Sequence, residues 1–128
     1  MTDFTERFEM YLEAEMNTQE DIEDAKNIIA LFKEKYGVEL CEENADTFIA
    51  HILAAYGRLT TGEEIEELPE EVVAELTALP SYDFSKEVLK EVMQVTSHPL
   101  NNTEQGYALL HINNLISLLG ESGEWKLD

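Results

Sequence analysis

Apolar residues recur at intervals of three and four along most of the chain, and no long stretch alternates apolar and polar positions. This spacing is typical of amphipathic helices, whereas a half-buried strand would alternate residue by residue. The pattern therefore predicts an all-α fold, a compact bundle of about five to six helices. The expected helices cover about residues 3–16, 18–36, 42–60, 69–79, 84–96 and 103–119.

Capping residues indicate where several of these helices begin and end. Thr18 precedes an apolar stripe with Asp21 three residues later, and Gly37 follows the stripe, so the second helix has both a start and a stop signal. In the last helix, Asn102 is the expected N-cap and Gly120 is expected just past the end.

Composition and charge narrow the class of protein. The 128 residues fit one domain, 1–128, and show no repeat at a fixed period. The 28 acidic and 8 basic residues give a net charge of -20, which would repel a nucleic-acid backbone, so direct nucleic-acid binding is not expected. No run of about 20 apolar residues is present to span a bilayer. The acidic N-terminal stretch and the single cysteine, Cys41, favour a cytoplasmic protein that does not bind membranes.

Motifs that carry catalysis are missing from the sequence. There is no glycine-rich phosphate loop, paired-cysteine zinc pattern, zinc-protease helix or nucleophile elbow. The enzyme classes that use these motifs are therefore not expected. The glutamate pairs of GEEIEELPEE are expected to form a solvated surface.

Two of the three histidines lie inside predicted apolar helices. Arg58 follows His51 by seven residues, and Glu104 precedes His111 by the same interval, so each histidine shares a helix face with a charged residue. A neutral imidazole is a good nucleophile toward a phosphoryl group, and an arginine can bind the phosphorylated product. These residues are compatible with a phosphohistidine switch.

The residue types alone leave other interpretations open. Two histidines and a carboxylate can also hold zinc or iron, and a histidine in an apolar helix is often a buried residue with a satisfied hydrogen bond. The third histidine, His98, precedes Pro99 in a loop, where a turn or plain exposure is expected.

Two segments carry a more specific pattern. The first, YGVELCEENADTFIAHILAAYGRL, has His51 followed by Arg58, and the second, NNTEQGYALLHINNLI, has Glu104, Tyr107 and His111. In this order and at this separation they resemble the PRD, the phosphotransferase-system regulation domain of bacterial sugar-operon antiterminators and transcriptional activators. The resemblance covers about residues 20–120.

The resemblance implies a helical bundle that forms a homodimer, with the motif histidines near one another and near the dimer interface. Phosphocarrier proteins of the phosphotransferase system phosphorylate such histidines, here His51 and His111, with Arg58 and Glu104 in supporting positions. Many family members have an acidic residue just before the first histidine, where this chain has Ala50. The chain shows one copy of the module and no nucleic-acid-binding domain, so we expect it to act on an unidentified effector protein.

The resemblance thus favours a stand-alone PRD protein that regulates transcription-related processes through histidine phosphorylation and protein binding. Such a protein is a substrate of phosphoryl transfer rather than its catalyst, so we expect no enzymatic activity, no cofactor and no bound metal. The alternative is a non-switching helical interaction or assembly module, accessory to metabolic enzymes, in which the histidines are structural. A helical metalloenzyme is a third interpretation.

Overall fold

A computed structural model describes residues 2–126, which form six α-helices and, within that range, no β-strand. This confirms the predicted all-α class. The helices are α1 (Thr5–Glu13), α2 (Gln19–Tyr36), α3 (Glu42–Thr61), α4 (Glu70–Thr77), α5 (Tyr82–Val95) and α6 (Asn102–Ser122).

The four longest helices form a closed ring around the core. Helix α2 packs against α3 and α5, and α6 packs against the same two helices from the opposite side, while α4 contacts α6. Each long helix directs its apolar stripe into this ring, as the spacing of three and four predicts. The side chains at the centre, all at most 2% exposed, include Phe32, Phe48, Ile52, Val88 and Ile112.

The ends of α2 match their sequence signals. The Asp21 backbone N–H donates to the Thr18 hydroxyl (3.2 Å), and the Thr18 backbone N–H donates to the Asp21 carboxylate (3.1 Å), which completes a capping box. At the other end Gly37 has φ 68°, a left-handed conformation that glycine adopts without a steric penalty. Local capping chemistry therefore sets both ends of this helix.

The expected end of α6 at Gly120 is wrong, because the helix continues to Ser122 and the left-handed glycine is Gly123, with φ 81°. The Trp125 backbone N–H donates to the Leu119 carbonyl oxygen (2.9 Å), and the indole is only 3% exposed. The buried Trp125 side chain thus determines where the chain turns after α6. Gly120 does not end the helix, because a glycine inside a helix lowers its stability only modestly.

The loop between α5 and α6 is fastened to α2 by His98. Its Nε2 lies 2.9 Å from Asp21 Oδ1, and its Nδ1 hydrogen-bonds Asp24. The ring also stacks on Tyr56, with centroids 4.4 Å apart. Both ring nitrogens face carboxylates, and only the imidazolium can donate from both at once. His98 lies in a bend as expected, but its side chain is only 18% exposed, so the expectation of plain exposure is wrong.

One of these carboxylates, that of Asp24, also binds the loop backbone. Asp24 accepts hydrogen bonds from the backbone N–H groups of Ser97 (2.9 Å) and His98 (3.0 Å). Burial opposes ionisation of Asp24, but the hydrogen bonds from His98 and Ser97 outweigh it and hold the pKa of this carboxyl below its ordinary value. Two nearly buried carboxylates and one imidazole ring therefore form a compact polar cluster.

Replacing His98 with Ala leaves Asp21 and Asp24 buried without the side chain that contacts both of them, so we expect the free energy of unfolding to fall by about 3 kcal/mol. Chemical denaturation of both proteins at neutral pH measures the change. Lys86→Ala is the matched control, since its ion pair with Asp83 has side chains 51% and 92% exposed, and it should cost about 1 kcal/mol or less. A loss for His98→Ala no larger than the control's would contradict a stabilising role for the cluster.

Candidate functional site

The contact between α3 and α6 brings the two motif histidines together. The imidazole rings of His51 on α3 and His111 on α6 have centroids 4.9 Å apart. The ring of Tyr107, one turn before His111, also packs against His51, with centroids 5.8 Å apart. Residues 60 positions apart in sequence, 51 and 111, thus form one cluster in the interior of the α3–α6 contact.

Arg58 and Glu104 form an ion pair with each other across the same contact. Arg58 Nε donates to Glu104 Oε2 (2.6 Å) and Nη2 donates to Oε1 (3.0 Å), a bidentate geometry that adds strength and direction to the pair. The sequence predicted each residue as the companion of the histidine on its own helix. The structure shows that the two companions instead bind one another and join the helices.

The helix ends favour this ion pair. Arg58 lies in the last turn of α3, and Glu104 lies in the first turn of α6, the positions where the helix dipole stabilises a cation and an anion respectively. The N-cap of α6 is Asn101, one residue earlier than the expected Asn102, and its side chain accepts from the Glu104 backbone N–H (2.8 Å). The cap therefore holds the backbone of the residue that carries the carboxylate.

His51 is a neutral, nearly buried imidazole. Its side chain is 8% exposed, and burial, followed by the nearby His111, lowers its pKa to about 4. Its Nε2 is 3.9 Å from Glu104 Oε1, which is too long for a hydrogen bond, and it is the buried side-chain atom without a partner among the described residues. The lone pair or proton on this nitrogen therefore has no hydrogen-bond partner.

His111 is the more accessible of the two histidines. Its side chain is partly exposed and lies at the edge of a groove between α3 and α6. Burial lowers the pKa of His111 below its ordinary value as well, so both imidazoles are mainly uncharged at pH 7. Two neutral rings in contact avoid the repulsion that two imidazolium groups would have.

Tyr107 links the histidine pair to the acidic connector between α3 and α4. Its hydroxyl donates to the Glu66 carbonyl oxygen (2.8 Å), while its ring packs against His51. The Glu66 side chain is exposed, as are the other glutamates of that connector, in agreement with the expected solvated surface. Tyr107 matched the family pattern, but spacing alone did not show that it covers His51.

The residue types left open a metal site formed by two histidines and a carboxylate. Within residues 2–126, no three His, Cys, Asp or Glu side chains are grouped so that they can hold a metal ion. The single carboxylate close to the histidines belongs to Glu104, and it is already bound by Arg58. The site as it stands offers two neutral imidazoles and one engaged guanidinium.

The fold and the site define a helical domain built around a histidine pair, with one histidine from each of two packed helices and an arginine–glutamate pair beside them. The chain belongs to the PRD domain family, whose family model matches residues 26–115, and this confirms the resemblance seen in the sequence. PRD domains are regulatory domains of the phosphotransferase system rather than a catalytic family. Comparisons with curated proteins and with solved structures gave no match. Over the described residues, no helix combines the length and apolar character that crossing a membrane requires.

The pKa of His51 leads to a pH dependence of stability. The folded-state pKa of about 4 lies below the ordinary value of 6.5, so the unfolded chain binds the proton more readily. His51 therefore contributes stability that is fully present above pH 6.5 and is lost as the pH falls from 6.5 toward 4. We expect the His51 ring resonances in an NMR titration to remain those of a neutral imidazole at pH 5.5.

Denaturation of the wild type and His51→Gln at pH 7 and pH 4.5 gives the matching energetic test. The wild type should lose more stability than the variant when the pH falls from 7 to 4.5. The difference between the two losses isolates His51, because both proteins have the same acidic residues. Equal losses, or a ring that titrates near pH 6.5, would show that burial does not control the charge of His51.

Removing one partner of the Arg58–Glu104 pair should be more harmful than removing both. Arg58→Met leaves a carboxylate that is 5% exposed without its cation, so the free energy of unfolding should fall by about 3 kcal/mol. The double variant Arg58→Met/Glu104→Leu should recover most of that loss in the same denaturation assay. Lys35→Met, which breaks a more exposed pair with Glu91, serves as the control and should cost about 1 kcal/mol or less. If the stability losses of Arg58→Met and Glu104→Leu, measured singly, simply add in the double variant, Arg58 and Glu104 act independently.

Proposed function

We propose that this chain is a cytoplasmic regulatory protein whose state is set by phosphotransferase-system-dependent phosphorylation at His51 and His111, and that it acts by binding another protein in transcription-related regulation. The observation that carries this proposal is the pair of neutral imidazoles, 4.9 Å apart, of which one has a ring nitrogen without a hydrogen-bond partner. A phosphocarrier protein with a phosphohistidine is the donor, and a homodimer is the form in which the signal is read.

The proposed chemistry needs only a neutral acceptor nitrogen. Its lone pair attacks the donor's phosphorus, a new P–N bond forms, the donor's P–N bond breaks, and the donor nitrogen keeps the electron pair. Because the pKa values of His51 and His111 are both below the ordinary value, this lone pair is available at physiological pH. The chain is thus a substrate of phosphoryl transfer and supplies no catalyst of its own.

The expected consequence of phosphorylation is a rearrangement of the α3–α6 contact. A phosphoryl group adds about two negative charges at neutral pH. Placed on His51, it repels the carboxylate of Glu104, 3.9 Å from Nε2, and attracts the guanidinium of Arg58, which now binds Glu104 at 2.6 and 3.0 Å. Exchange of Arg58 from Glu104 to the phosphoryl group would loosen one link between the helices, and a dimer partner or effector protein would sense the change.

A second candidate function is supported by the burial of His51. A side chain that is 8% exposed, with no solvent access at Nε2, fits a structural histidine in a non-switching interaction or assembly module accessory to metabolic enzymes. Phosphorylation of His51 would then require α6 to move away from α3, whereas His111 already lines a groove at the surface.

A phosphotransfer assay distinguishes the two candidates. The purified chain is incubated with the phosphocarrier protein, its kinase and phosphoenolpyruvate, and intact-protein mass spectrometry detects an acid-labile phosphoryl adduct. We expect the first adduct to be lost in His111→Gln, because His111 is the more accessible ring, and to persist in His51→Gln. Circular dichroism checks that each variant is folded.

Absence of any adduct on the folded wild type would contradict the switch and favour the non-switching module. An adduct that survives in the His51→Gln/His111→Gln double variant would move the site elsewhere, with His98 as the remaining histidine.

A further inference from the structure

A small groove opens between the N-terminal half of α3 and the C-terminal half of α6, with His111 at its edge. Its volume is about 200 Å³. We call it the α3–α6 groove, and it is lined by His111, Asn44, Thr47, Phe48, Asn114 and Leu118, among others. It lies on the side of the helix contact from which a ligand can approach His111.

The groove is uncharged in a strongly acidic chain. The sequence carries 28 acidic and 8 basic residues, yet no Asp, Glu, Lys or Arg lines this groove. Four other cavities in the described part of the molecule each include at least one such residue. A doubly charged phosphoryl group therefore meets less repulsion from lining residues here than it would over the glutamate-rich surface.

An exposed apolar side chain lies next to the acceptor. Leu118 is 52% exposed and follows His111 by seven residues, so both lie on one face of α6. Glu121, one turn after Leu118, and Glu43, one turn before Thr47, are exposed beyond the two ends of the lining. The surface thus has an apolar and amide centre with acidic side chains at its margin.

We propose that the α3–α6 groove is the docking surface for the protein that donates the phosphoryl group, and this inference rests on the proposed function. The donor that fits carries its phosphohistidine beside an uncharged, partly apolar patch, with basic side chains around it to meet Glu43 and Glu121. Leu118 supplies the buried apolar contact, and the neutral lining lets the phosphoryl group reach His111. Apolar centres surrounded by charged margins are the usual anatomy of protein interfaces.

The test compares two phosphoryl donors on the same protein. The initial rate of adduct formation is measured with the phosphocarrier protein and, separately, with phosphoramidate, a small donor that needs no docking surface. In Leu118→Glu, a carboxylate enters the apolar centre, so the ratio of the protein-donor rate to the phosphoramidate rate should fall about tenfold. Leu79→Glu is the matched control, since Leu79 is also exposed (43%) but lies outside the groove, and its ratio should equal that of the wild type.

Each other outcome overturns the inference in a recognisable way. An unchanged ratio in Leu118→Glu, with adducts formed from both donors, refutes the docking surface and leaves the phosphorylation site standing. An equal loss of both rates shows that Leu118 affects the reactivity of His111 rather than docking. A change in the oligomeric state of free Leu118→Glu, seen by light scattering, would assign the groove to a second copy of the chain. No adduct from either donor on the wild type removes the proposed function itself.

Discussion

The ion pair between Arg58 and Glu104 is the interaction on which the rest of the site depends. It joins the end of α3 to the start of α6 with two hydrogen bonds, 2.6 and 3.0 Å long, and its carboxylate is almost fully buried. A buried charge without its partner is strongly destabilising, so the two helices are held in the register that places His51 against His111. The same Glu104 lies 3.9 Å from His51 Nε2, a buried nitrogen without a hydrogen-bond partner among the described residues.

Because basic residues are scarce in this part of the chain, the Arg58–Glu104 pair is sensitive to a new negative charge nearby. Arg58 is the single Lys or Arg between Tyr36 and Ser85, in a chain with a net charge of -20. Any anion introduced beside the histidine pair therefore has one nearby guanidinium to bind, and it must compete with Glu104 for it. At a second site, His98 contacts two buried carboxylates of α2 and holds the α5–α6 loop.

The sequence showed most of the site's residue types and their spacing, but it did not show which residues contact one another. The separation of seven residues correctly placed Arg58 on the same helix as His51, and Glu104 on the same helix as His111. The pairing of Arg58 with Glu104 depends on which face of α3 meets which face of α6, and several amphipathic packings satisfy the same apolar stripes. Tyr107 was part of the motif, yet its position over His51 follows only from the helix crossing.

By itself the sequence determined the all-α class, the ends of α2 and the resemblance to the PRD family, because helix periodicity, a Thr18–Asp21 capping box and a glycine with positive φ are local properties. Tertiary structure alone decided that α6 continues past Gly120, since Trp125 is buried against residues of α2 and α5. It also decided that His98 contacts both Asp21 and Asp24, and that His51 is neutral. Burial and charge at a given atom are sums over neighbours from distant segments, and no local pattern contains them.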